Sequence, residues 1–157
     1  MSTKYKATTS EEAFFIIRAI GLEIYAYCIM SSHIHLLCKG TNGFVLSDII
    51  RDFKKFTSKK IIQTINEEPE SRREWMLDYF KKSCEHLKRE QQYKVWKDGY
   101  HAEIVTTNWF IKQKVNYIHN NPVKDKIVAL PEDYYFSSAR NYADLENELK
   151  VVLLDLF

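Results

Sequence analysis

The sequence predicts an α+β domain, an antiparallel sheet with helices packed on one side. Two observations carry that expectation. A β-rich stretch, "LEIYAYCIM" (22–30), is followed at once by "HIHLLCKG" (33–40), with only Ser31-Ser32 between them. Beyond residue 45 the apolar residues change their spacing from two to three and four, the period of a helix lying on a core.

Taken in order, the two β-rich stretches read as a hairpin bounded by Gly21 and by "TNG", where turn residues break the strand. Leu46, Ile49, Ile50, Phe53 and Phe56 make one apolar face of a helix from Ser47 to about Glu67. Residues 70–90 read as a second helix through Trp75, Met76, Tyr79, Phe80 and Leu87. Residues 93–105, "YKVWKDGYHAEIV", read as a bent or hairpinned strand around Asp98-Gly99. "NWFIKQKVNYIHNN" (108–121) reads as a third helix, capped by Asn108 and stopped near Asn120 by Pro122, since proline disfavours helical geometry before it. A short apolar helix is expected from about Leu145.

The 157 residues suit one domain spanning 1–157, long enough to bury a core. The chain is 45% hydrophobic and 28% charged, and its net charge of +2 permits a nucleic-acid partner without requiring one. No apolar run approaches the roughly 20 residues that span a bilayer, so no membrane is expected. Cys28, Cys38 and Cys84 are an odd, sparse set, which fits a reducing cytoplasm better than a disulfide framework. The opening residues lack the layout of a secretory signal.

The chemistry concentrates in two places. In "SSHIHLLCKG" (31–40), His33 and His35 share one strand face while Ile34 takes the other. Paired imidazoles are either a metal or phosphate site or two satisfied histidines on a half-exposed strand. In "NYIHNNPV", Tyr117 and Asn121 lie four apart on one helix face. Tyr117 is either a packing aromatic or a nucleophile whose target is polarised by a metal, with Asn121 adding an amide oxygen. His119 faces elsewhere and is not read as a ligand. Structural zinc on Cys28, His33, His35 and Cys38 is disfavoured, because Cys38 faces away from His35 and the spacing matches no common finger. A histidine-triad hydrolase needs a third histidine where Leu37 stands, and a two-motif phosphodiesterase needs a second His-x-Thr or His-x-Ser. Arg51, Lys54, Lys55, Lys59 and Lys60 form either a solvated helix face or a set of DNA-phosphate contacts. Trp96, Tyr100 and His101 are candidates for stacking on unpaired bases, with packing the expected role for Trp96. Cys84 reads as buried helix packing.

These motifs together resemble the single-tyrosine HUH transposases, named for a His-hydrophobic-His pair, and within them the REP-associated tyrosine transposases. "CIMSSHIHLLCKG" resembles the histidine strand, "YIHNNPVKDKIV" the tyrosine helix, and "YYFSSARNY" a Ser-Ser landmark near the C-terminus. "LSDIIRDFKKFTSKKI" and "VWKDGYHAEI" also look like family segments, and the resemblance is strongest over 22–142.

The resemblance implies a ferredoxin-like HUH nuclease fold, with His33, His35 and Asn121 as metal ligands and Tyr117 as nucleophile. It implies cleavage of single-stranded DNA beside a hairpin, with a 5′-phosphotyrosine intermediate, during DNA transposition. The cofactor would be Mg²⁺, for which Mn²⁺ should substitute well because imidazole suits it better. The chain would act as a monomer or homodimer. Only 21 residues precede Leu22, too few for the strand and crossover helix that usually lead the family's sheet. "SEEAFFIIRAIG" supplies one strand or one short helix, with Ser10 as cap and Gly21 as stop. The fold is therefore expected to be shortened at the N-terminus, and a hairpin-DNA-binding module that no longer cleaves is the alternative function.

Overall fold

A computed structural model describes residues 21–41, 43–85, 91–99 and 101–155. The readings of "SEEAFFIIRAI", of Tyr100 and of residues 86–90 lie outside them.

The hairpin forms as its composition dictates. Strands β1 (Leu22–Ile29) and β2 (Ile34–Gly40) pair antiparallel, with Cys28 opposite His35 and Ile29 opposite Ile34. Met30 N donates to His33 O at 2.9 Å and closes the two-residue turn Ser31-Ser32. The register slips between Ile24 and Ala26, so Tyr25 is an extra residue on β1, as in a β-bulge. At the hairpin's open end Gly21 takes φ +86°, and a Cβ there would collide with the Phe44 ring. Only glycine fits without strain.

Helix α1 (Leu46–Glu67) buries Ile49, Phe53, Thr57, Ile61, Thr64 and Ile65 on the face that the spacing of three and four predicts. Helix α2 (Arg73–Lys82) packs on its far end, where Met76 joins Ile61 and Ile65 in a small second core. Helix α3 (Asn108–Lys124) lies on both strands of the hairpin. A 3₁₀ turn (Pro131–Asp133) and a one-turn helix α4 (Ala139–Tyr142) follow. The main core joins Ile24, Ala26, Tyr27 and Cys28 of β1 to Ile49 and Phe53 of α1 and to Val115 and Ile118 of α3. The fold class is α+β, with a two-stranded sheet among the described residues.

Three local expectations are corrected. Residues 93–105 form no strand among the described residues. They are held by side chains of α1: Trp96 Nε1 donates to Thr57 Oγ1 at 2.8 Å, and Lys54 Nζ donates to Gly99 O at 2.7 Å. The tail from Leu145 forms no helix either. Val152 N donates instead to Ile24 O of β1 at 2.9 Å, and the apolar residues Leu149, Val151 and Leu154 pack on the main core. Helix α3 is capped not by Asn108 but by Thr107 before it, whose Oγ1 accepts from Phe110 N at 3.2 Å. It also runs through Pro122 to Lys124. Proline removes one helix hydrogen bond, but Pro122 is fully buried and that burial offsets the loss.

The edge of β1 that faces away from β2 is covered by the distant segment Phe136–Ser138. Ile29 N donates to Phe136 O at 2.9 Å and Ser138 N donates to Tyr27 O at 3.0 Å. Ser138 Oγ accepts from Tyr27 N at 2.8 Å and lies 2.8 Å from His119 Nε2. Both serines are fully buried, so the Ser-Ser landmark is a staple between β1, α3 and the tail.

Candidate active site

The two strand positions predicted to share a face do so. His33 Nε2 and His35 Nε2 lie 3.0 Å apart, with the ring planes at 87°. Ser32 Oγ sits 3.1 Å from His33 Nδ1. With Nδ1 donating to that hydroxyl, His33 Nε2 keeps its lone pair. His33 is exposed and His35 half-buried. Burial and the neighbouring His33 hold His35 below the usual imidazole range, partly offset by its hydrogen bond with Asn121. Its environment therefore favours the neutral imidazole.

Helix α3 brings the other two residues to this face. The Tyr117 ring meets the His35 ring edge-on at 5.5 Å between centroids. Asn121 Nδ2 donates to Tyr117 O one turn back at 2.7 Å, which leaves the amide oxygen for the His35 ring. Tyr117 is 45% exposed, so the residue meets solvent. Val115, Ile118, His119 and Pro122, on the opposite side of α3, are buried and fix the helix on the hairpin. The exposed residues thus owe their place to the buried ones.

Among the described residues no group of three or more His, Cys, Asp or Glu side chains could hold a metal. A cation site here would need the Asn121 oxygen as its third protein ligand. The donor set fits that role. Imidazole nitrogens and an amide oxygen are donors that a divalent cation accepts, and the two Nε2 atoms already converge within 3.0 Å. Cys38 is not among the convergent groups, and burial pushes its thiol up to about 11.

The residues proposed to contact DNA are placed less uniformly. Arg51 is exposed and paired with Asp48 and Asp52. Lys54 is engaged with the carbonyls of Lys97 and Gly99. Lys55, Lys59 and His101 are exposed, and Lys60 is half-buried. Trp96 is half-buried against Phe53, the packing role expected of it. His119 is buried on Ser138 and takes no part in the convergent set. Cys84 is buried in the turn just past α2 rather than in the helix itself.

Sequence reasoning missed Lys124. Its ammonium stands 4.6 Å over the centroid of the Tyr117 ring, and Lys114 Nζ lies 5.9 Å from the same ring. The signal was available as spacing, since residues 114, 117, 121 and 124 follow one helical stripe. The stripe reaches Lys124 only because α3 continues past Pro122.

No curated protein and no solved structure matches the chain. A family model described as "Transposase IS200 like" matches residues 2–95, more than half of the chain. The matched part includes His33, His35 and helix α1 and ends before Tyr117 and Asn121. No helix among the described residues is long and apolar enough to cross a membrane. On the matched residues, with the histidine strand and tyrosine helix juxtaposed as above, the chain belongs to the IS200-like family of single-tyrosine transposases.

Proposed function

We propose that the chain nicks and rejoins single-stranded DNA through Tyr117, with His33, His35 and Asn121 holding Mg²⁺, for which Mn²⁺ substitutes. One observation carries the reading: the convergence of two imidazole Nε2 atoms at 3.0 Å, the Asn121 side chain on His35, and the Tyr117 ring 5.5 Å from the same imidazole.

When bound, the cation would neutralise charge on the scissile phosphate, the main electrostatic demand of phosphoryl transfer. The Tyr117 oxygen forms the new bond to phosphorus while the bond from phosphorus to O3′ breaks. The phenolic proton passes by way of solvent to the departing oxygen. The products are a 5′-phosphotyrosine and a free 3′-hydroxyl, the polarity that the family resemblance implies. Attack by a 3′-hydroxyl on that linkage reverses the step and joins strands. One phosphodiester is exchanged for another, so no ATP is consumed. The seated helix contributes by holding the nucleophile in place.

The test is covalent trapping. Labelled single-stranded hairpin DNA from the flanks of the chain's own gene is mixed with the protein and Mg²⁺ or Mn²⁺, then run on a denaturing gel. A shifted band that needs both Tyr117 and metal is expected. A band that persists in excess EDTA refutes the metal assignment, and one that persists in Tyr117→Phe refutes the nucleophile.

A second reading, a hairpin-DNA-binding module that does not cleave, is favoured by the sheet. Among the described residues no backbone group pairs with the outer edge of β2, the strand that carries His35 and follows directly on His33. Tight binding without a covalent band would select it.

A further inference from the structure

Helix α3 carries more than the nucleophile on its exposed stripe. Lys114 and Lys124 bracket Tyr117, three residues before it and seven after it, with ammonium groups 5.9 and 4.6 Å from its ring centroid. The two lysines are not equivalent. Lys114 is ion-paired with Glu103 and also stands 5.0 Å over the Phe110 ring. Lys124 is exposed and has no acidic partner among the described residues. A cation already satisfied by a carboxylate gains little from a second anion. An unsatisfied one at the same ring gains the whole charge-assisted contact.

The geometry points to Lys124 as the group that grips the DNA phosphate at Tyr117, beside the ring that His35 also meets. The target phosphate must come within bonding reach of the Tyr117 hydroxyl, on a ring whose neighbours are His35 and Lys124. Its oxygens therefore come within reach of a mobile ammonium on a four-carbon stem. The ammonium neutralises charge on the bound phosphate and again on the phosphotyrosine, while the proton and the leaving 3′-oxygen follow the route already given. Lys114 is the built-in comparison: same stripe, same ring, but its charge is spent on Glu103. The assignment rests on Tyr117 as the nucleophile.

The experiment has two arms, so that the two ideas can fail separately. The first measures binding of a fluorescein-labelled single-stranded hairpin oligonucleotide across a salt series, in EDTA and in a Tyr117→Phe background where no bond can form. Lys124→Ala should flatten the dependence of log affinity on log salt by about 0.7, the value for one single-strand phosphate contact. Lys114→Ala should flatten it by less, and Lys124→Arg should restore it. A lysine that only caps the helix C-terminus would lower the melting temperature and leave the slope alone. An unchanged slope for Lys124→Ala overturns the assignment, whatever the cleavage result.

The second arm follows covalent adduct formation with Tyr117 in place. Lys124→Ala should slow it about ten- to hundredfold, the range of one lost charged hydrogen bond, with Arg recovering most of the rate. Equal rates for Lys124→Ala and the parent, or no recovery by Arg, overturn the charge role. If the parent chain forms no adduct at all, Tyr117 is not the nucleophile; the salt slope then still decides whether Lys124 holds a phosphate.

Discussion

The two faces of helix α3 obey different rules. The buried face, Val115, Ile118, His119 and Pro122, is fixed by packing and by a 2.8 Å hydrogen bond from α3 to Ser138. The outward face, Lys114, Tyr117, Asn121 and Lys124, is held by its own helix, the hairpin's imidazoles and the Lys114–Glu103 ion pair. The histidines repeat the contrast. His119 is 7% exposed and serves the fold, while His33 and His35 meet solvent and each other. The difference teaches that the groups proposed for chemistry lie largely apart from the packing that holds the fold. Substitutions on the two faces should therefore separate cleanly into losses of chemistry and losses of fold.

The sharpest way to break that separation is Tyr117→Phe. It should abolish the covalent DNA adduct altogether while leaving the thermal unfolding midpoint within about 2 °C, as expected for a surface change. A large drop in midpoint on differential scanning would contradict the division between the faces. Next, His33→Ala with His35→Ala should remove metal-dependent cleavage. It should also remove any rise in melting temperature produced by Mn²⁺ on the parent protein, because a ligand stabilises only through a site that binds it.

The buried face answers to pH. Burial holds the His119 imidazole down at about 4, against an ordinary value of 6.5. Between those values the unfolded chain takes up a proton that the folded chain refuses. This contribution to stability is complete above pH 6.5 and is lost as pH falls toward 4, by up to about 3 kcal/mol. Urea unfolding at pH 7.5 and 4.5 should show that loss, and His119→Gln should lose less over the same interval. Ser138→Ala leaves the buried Tyr27 N–H without its side-chain acceptor and should cost about 2 kcal/mol in the same assay. Smallest of all, Thr107→Ala removes the cap of α3, worth about 1 kcal/mol. It should shift the urea midpoint slightly and leave adduct formation intact.

Legibility in the sequence followed the range of the forces involved. The hairpin was readable because alternation and a Ser-Ser turn are local, and α1 because its apolar residues recur at three and four. The histidine pair and the Tyr117–Asn121 pair were readable for the same reason, each set lying within five residues. Residues 93–105 were not, because side-chain bonds from Lys54 and Thr57, some forty residues away, take the place of a strand ladder. The tail was misread because its apolar residues serve β1 and the main core rather than a helix of its own. Pro122 misled most usefully. Its local cost is real, but burial overrides it, and the extra turn carries Lys124 onto the stripe of Tyr117.

The staple between Tyr27 and Ser138 spans 111 residues of sequence. A ribosome adding roughly 5–20 residues per second needs about 5–20 s to make that stretch. For that time the nascent β1 lacks the segment that covers its second edge. The hairpin's first strand is thus synthesised well before the segment that completes it. Nascent neighbours on one message meet while that edge is bare, and it is there that mispairing between chains would begin.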